Sequence, residues 1–162
     1  MKQLDDIAIT SKEITDNICY ELGQTDSYIR IAVSKLLKTV GITDITYEQF
    51  GILFVLSNED GLYQRQLAFL LNKDRPNITR MLDILEKQGY VKRVKDPGNK
   101  RIIKIHITPA GLEKVELMEP YKKSFQERIE KGISQEDLDI CRSVMKRIRA
   151  VSYTHLRAHE TC

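Results

Sequence analysis

Apolar side chains recur early in the chain at Ile14, Ile18, Leu22, Ile29, Val33, Leu36 and Val40, at spacings of three, four or their sum. This predicts one long amphipathic helix ending near Gly41. Thr46 and Gln49 then form a T-x-x-Q capping box, opening a helix that carries Phe50, Leu53, Phe54 and Leu56. It stops at the turn residues Asn58-Glu59-Asp60-Gly61. A short helix over Gln64–Leu71 shows Leu67, Leu70 and Leu71 on one face. Asp74 is a good N-cap and Pro76 suits a first helical turn, so the next helix, PNITRMLDILEKQ, starts there and buries Ile78, Met81, Leu82 and Leu85 before Gly89.

The period then changes from helical to alternating. Tyr90–Lys95 and Ile102–Ile107 read as strands around the turn Asp96-Pro97-Gly98-Asn99, giving a β-hairpin. Thr108-Pro109 opens a further helix lined by Leu112, Val115, Met118, Tyr121, Phe125 and Ile129, with a kink expected at Pro120. After Gly132, Ser134–Asp137 is a second capping-box pattern. The last helix presents Leu138, Cys141, Val144 or Met145, and Ile148, and its apolar period ends at about Ala150. Cys141 is expected in the core. The final twelve residues, VSYTHLRAHETC, have no apolar period and read as a disordered or non-native tail. His155 and His159 in it are four apart, with Cys162 beyond, but no metal site is assigned to them.

Length and composition fit a globular chain. There are 162 residues, 41% hydrophobic and 30% charged, with no apolar run near the ~20 residues that cross a bilayer. The start lacks a signal-peptide pattern, and three widely spaced cysteines make neither a disulfide scaffold nor a clustered metal site. The chain therefore reads as soluble and cytoplasmic. Its charge is segregated. Residues 73–104 hold ten Lys/Arg against four acids, so this stretch carries +6 of a chain whose net charge is only +3. No Gly-rich phosphate loop, paired carboxylates or Cys–His arrangement points to catalysis, and neither an enzyme nor a cofactor is expected.

Two short helices, a tight turn, a second helix and a basic hairpin make a winged helix-turn-helix. The expected fold is mainly α with a small β-hairpin wing, and N- and C-terminal helices flank the winged lobe. The second helix fits the major groove with its N-terminal side chains at base edges, and the hairpin reaches the backbone or the adjacent minor groove. Candidate contacts on the recognition helix are Lys73, Arg75, Pro76, Asn77, Thr79 and Arg80, with Asp83 also on its exposed face. Those on the wing are Lys95, Asn99, Lys100 and Arg101. His106 alternates with Ile105 and Ile107 and is expected exposed or near DNA.

The run from Gln66 to Thr108, with RPNITRMLDILEKQGYV and NKRIIKIHITPAG in order, resembles the MarR family of bacterial transcriptional regulators. With its flanking helices, the resemblance covers about residues 10–150. It implies an obligate homodimer whose terminal helices entwine and whose paired winged helices read a pseudo-palindrome in double-stranded DNA. It also implies a ligand or oxidant that shifts the two lobes. The domains expected are 1–45 and 109–150 for dimerisation, 46–108 for DNA binding, and the tail 151–162. The family usually places an aspartate two residues before a minor-groove arginine. Here Asn99 stands in that place before Arg101, so the arginine loses an orienting ion pair.

Cys19, in DNICYEL, resembles the reactive thiol of the organic-hydroperoxide-sensing branch, although the stretch roughly matching that branch's thiolate partners, around Val33 and Ile42–Asp44, holds no tyrosine, with Tyr20, Tyr28 and Tyr47 nearby in sequence. The commoner family mode implies a small aromatic or phenolic inducer, with Ile29, Val33, Phe50, Phe54, Met118 and Tyr121 as candidate lining. The leading expectation is a repressor released by such a ligand. A thiol-based regulator using Cys19 is the alternative, and a winged-helix protein-interaction module is the alternative of another class.

Overall fold

The computed structural model describes residues 16–99 and 102–159, with side chains through Val151. Ile14, Lys100, Arg101 and the side chains of His155, His159 and Cys162 lie outside the described residues. Helix α1 spans Ile18–Thr39, and Asn17 caps it by accepting from the Cys19 amide. Gly41, at φ +85°, turns the chain out of it. Helix α2 spans Tyr47–Asn58 behind the full Thr46/Gln49 capping box. A two-residue strand β1 (Leu62–Tyr63) leads directly into α3 (Gln64–Leu70). Helix α4 spans Arg75–Lys87, followed by β2 (Val91–Lys95), β3 (Ile103–Ile107) and α5 (Pro109–Glu116). Helices α6 (Glu119–Ile129) and α7 (Gln135–His159) complete the described chain.

The chain divides into two compact units between Met118 and Glu119. The core of the first is a single cluster that includes Leu37, Ile52, Leu53, Leu56, Leu67, Ile78, Leu82, Leu85, Val91 and Ile105. Each such aliphatic side chain contributes about 1.5–3 kcal/mol on leaving water. All four apolar positions expected of α4 are buried. The hairpin is antiparallel with Val91 opposite Ile107 and Lys95 opposite Ile103. β1 adds to the other side of β3, giving sheet order β1-β3-β2.

Several expectations are corrected. The helix expected to kink at Pro120 is two helices. A proline has no amide to donate to the carbonyl four residues back, and its ring crowds that carbonyl, here Glu116, where α5 ends. Pro120 then falls in the first turn of α6. Helix α7 does not stop near Ala150 but runs to His159. Residues 151–159 contain no Pro or Gly, and extending an existing helix needs no new nucleus. Cys141 is exposed, not core. No described residue of the second unit is buried, so the apolar face of α7 finds no cover within its own unit. The stripe read on α1 is likewise at most half-buried, and Leu37, outside that stripe, is its only buried residue. In α3, Leu70 is exposed and Ala68 takes its place in the core. Phe54 of α2 and Leu112 of α5, also expected inside, are partly exposed.

Candidate nucleic-acid interface

The N-terminus of α4 is built by short-range chemistry. Asp74 Oδ1 accepts from the Asn77 amide at 2.7 Å, and Pro76 sits in the first turn, where a missing amide costs nothing. With Ile78, Met81, Leu82 and Leu85 buried, the opposite face turns Arg75, Pro76, Thr79 and Arg80 to solvent, while Asn77 is half-buried. Lys73, just before the helix, is also half-buried. Arg80 lies 3.4 Å from Asn77 Oδ1, so a guanidinium and a carboxamide are presented side by side.

Two residues of this face are engaged within the protein. Thr79 Oγ1 donates to the Arg75 carbonyl at 2.9 Å and accepts from Gln64 Nε2. Gln64 thereby ties the start of α3 to the start of α4, a role that local sequence patterns do not signal. Asp83 is held by Arg93 on β2, with 2.6 Å between Oδ1 and Nη2, and does not stand free on the recognition face. Arg93 also reaches Glu86. Burial opposes the charge of Arg93, but its hydrogen bonds to Asp83 and Glu86 outweigh it and raise its pKa.

The wing turn is organised by Asp96. Its Oδ1 accepts from the amides of Gly98 (2.8 Å) and Asn99 (3.2 Å), and its Oδ2 pairs with Lys104 at 2.9 Å. The Lys104 hydrogen bond holds the Asp96 carboxyl below the usual carboxylate range. The Asn99 carbonyl accepts from the Ile102 amide at 2.8 Å, closing the tip. Lys95 is exposed at the end of β2.

Two further polar ties brace the lobe. His106, expected exposed or near DNA, is partly buried, with Nδ1 2.8 Å from Asp60 Oδ2. Asp60 Oδ1 accepts from the Ile107 amide at 2.8 Å. Burial would raise the Asp60 pKa, but these hydrogen bonds lower it. In the α1–α2 loop, Asp44 accepts from Tyr90 and pairs with Lys114 of α5 at 2.9 Å, while its carbonyl accepts from Gln88 Nε2 at 2.7 Å. One loop residue therefore grips the end of α4, the start of β2 and α5. Burial works against the Asp44 carboxylate, yet the Tyr90 and Lys114 hydrogen bonds leave its pKa lowered.

The six candidate pocket residues have different surroundings. Phe50 and Phe54 stack with centroids 6.5 Å apart, but Phe50 is core. Val33 and Met118 pack against that core, Ile29 is half-buried on α1, and Tyr121 belongs to the second unit. A cleft of about 390 Å³ does open beside α1, lined by Arg30, Ser34, Leu37, Lys38 and residues 42–48, none of which is among the six. Cys19 is exposed in the first turn of α1. Among the described residues there is no group of three or more metal-ligating side chains, and no helix is long and apolar enough to cross a membrane.

Helix, turn, capped second helix and basic three-stranded wing define a winged helix-turn-helix protein. The MarR family model matches residues 45–103, the whole of this lobe as far as the wing. Similar chains include a protein of Thauera aromatica described as a regulatory protein for the hcr operon, 28% identical over 109 residues. That alignment covers 67% of this chain but only 59% of the relative. The HTH-type transcriptional regulator SarZ of Staphylococcus haemolyticus is 25% identical, with 81% of this chain and 86% of SarZ aligned. Among solved structures, an S. aureus MepR–DNA complex shares the fold with a TM-score of 0.75 at 21% identity, over 87% of this chain and 99% of that one. The winged lobe thus matches the MarR family model, and the chain is similar to HTH-type transcriptional regulators.

Proposed function

We propose that this protein is a homodimeric, sequence-specific repressor that binds a pseudo-palindromic operator and is released by a small aromatic or phenolic ligand. The carrying observation is the capped start of α4, where Arg75 and Arg80 are exposed, Asn77 lies beside Arg80, and the apolar side is locked in the core. Arg can bridge guanine O6 and N7, and Asn can bridge adenine N6 and N7. Lys95 with Lys100 and Arg101 supplies the wing charge, suited to phosphates or a narrow minor groove.

Dimerisation is supported by apolar surface left exposed on a helix of each unit. On α7, Ile140, Val144, Met145 and Val151 are exposed, and a groove includes Val144, Arg147, Ile148 and Val151 in its wall. On α1, Ile18, Tyr28 and Ile31 are exposed as well. Footprinting on the DNA upstream of its own gene tests the reading. Two protected half-sites about one helical turn apart are expected. A protein that protects no DNA, and instead retains a protein partner through this face, would support the interaction-module reading.

The exposure of Cys19 favours a second reading, in which an organic hydroperoxide is the releasing signal. Loss of operator binding on oxidation, abolished by Cys19→Ser, is then expected. Release of oxidised wild type and oxidised Cys19→Ser to the same extent would rule that signal out.

A further inference from the structure

Arg93 makes four polar contacts, all to α4. Its amide donates to Glu86 Oε1 at 3.1 Å and its Nη1 to Glu86 Oε2 at 2.5 Å. Its Nη2 donates to Asp83 Oδ1 at 2.6 Å and reaches the Thr79 carbonyl at 3.5 Å. Thr79, Asp83 and Glu86 follow one another at helical spacings of four and three, so the guanidinium lies along one stripe of α4. Across the sheet Arg93 pairs with buried Ile105, which fixes the strand from which it reaches. An exposed ion pair adds little to stability. A fork seated on two carboxylates and a carbonyl does more to set direction, because planar guanidinium hydrogen bonds hold a geometry.

Direction matters at this place. The strand rise of about 3.3 Å per residue puts the wing tip roughly 15 Å beyond Arg93. A rotation of about 10° at the base would then move the tip by about 3 Å, the length of a hydrogen bond. We propose that Arg93 is a positioning residue for DNA recognition: it clamps the base of the wing to the C-terminal half of α4, so that helix and wing engage adjacent grooves together. This rests on the reading of α4 and the wing as the DNA-contacting elements.

The test uses the full chain and a duplex selected from a random pool by the wild-type protein. Arg93→Met should weaken binding tenfold or more, with helical content and melting temperature close to wild type. In that background Arg101→Ala, which should weaken the wild type, should have little further effect, because the wing tip no longer engages. The exchange Glu86→Arg with Arg93→Glu should recover most of the affinity and restore sensitivity to Arg101→Ala. If Arg93→Met folds poorly, Arg93→Lys keeps the charge without the fork and should still blunt the Arg101→Ala effect.

Three results overturn the proposal: binding by Arg93→Met within twofold of wild type, an undiminished Arg101→Ala effect in its background, or full recovery on adding Asp83→Asn and Glu86→Gln. The last would make Arg93 a charge shield only. A wild-type protein that selects no duplex fails the parent reading and this one with it, whereas normal wild-type binding with unaffected Arg93→Met fails this one alone.

Discussion

Gly111 is the third residue of α5, where a Cβ would overlap the Tyr90 carbonyl oxygen and stand 3.1 Å from its carbonyl carbon and 3.0 Å from Ile107 Cγ1. Alanine here should gain about 1 kcal/mol from helix propensity. Against that, forcing a methyl into a filled site costs about 1–3 kcal/mol, and more where the neighbour cannot yield. The Tyr90 carbonyl is anchored, since it accepts from the Thr108 amide at 3.0 Å while the Tyr90 amide donates to Leu85 at 2.9 Å. Shifting it strains bonds worth about 1 kcal/mol each. The clash wins, and Gly111→Ala should lose about 2–3 kcal/mol.

Gly23, inside α1, has nothing within 4 Å of the same added atom and no positive φ. The same substitution there should stabilise by about 0.5–1 kcal/mol. Urea unfolding of both variants at one fixed protomer concentration is the assay, because linked association would otherwise shift the midpoints. The midpoint should fall for Gly111→Ala and rise for Gly23→Ala, with unchanged slopes. A Gly111→Ala protein as stable as wild type would refute the close packing of α5 on the start of β2.

Other outcomes follow from the same geometry. Arg80→Ala should relax base preference at one operator position by about 1–3 kcal/mol; an equal loss on every sequence would make Arg80 a phosphate contact instead. The carboxyls of Asp44 and Asp60 have lowered pKa values in the fold, so their stabilisation is complete above the unfolded value near 3.9 and is lost as pH falls through the folded values. Asp44→Asn should therefore flatten the fall of urea midpoint below about pH 4, and an unchanged acid limb would count against the Asp44–Tyr90–Lys114 tie. Val144→Asp, which places a charge on the uncovered face of α7, should shift the protein toward monomer in sedimentation; a dimer at every concentration would move the interface elsewhere.

How far the sequence could be read depends on the range of the interactions. Helix α4 was fully legible, because the Asp74 cap, Pro76 and the four apolar positions act within a few residues of each other. The wing turn was legible for the same reason, through Asp96-Pro97-Gly98-Asn99. Strand β1 was not, since Leu62 and Tyr63 are a strand only through pairing with β3 some forty residues on. The Gln64–Thr79 and Arg93–Asp83 contacts are likewise long-range, which is why Thr79 and Asp83 read as free surface. The stripes on α1 and α7 were periodic but did not become core, because periodicity shows that a face wants cover and not what covers it.

The salt dependence of binding to a selected duplex tests the central claim most directly. Each phosphate neutralised contributes about −0.9 to the slope of log K against log salt. A dimer using two recognition helices and two wings should give a steep slope, reduced by Arg101→Ala in proportion to the two contacts removed. A shallow slope, equal on selected and random duplexes and unmoved by Arg101→Ala, would contradict sequence-specific recognition through this lobe.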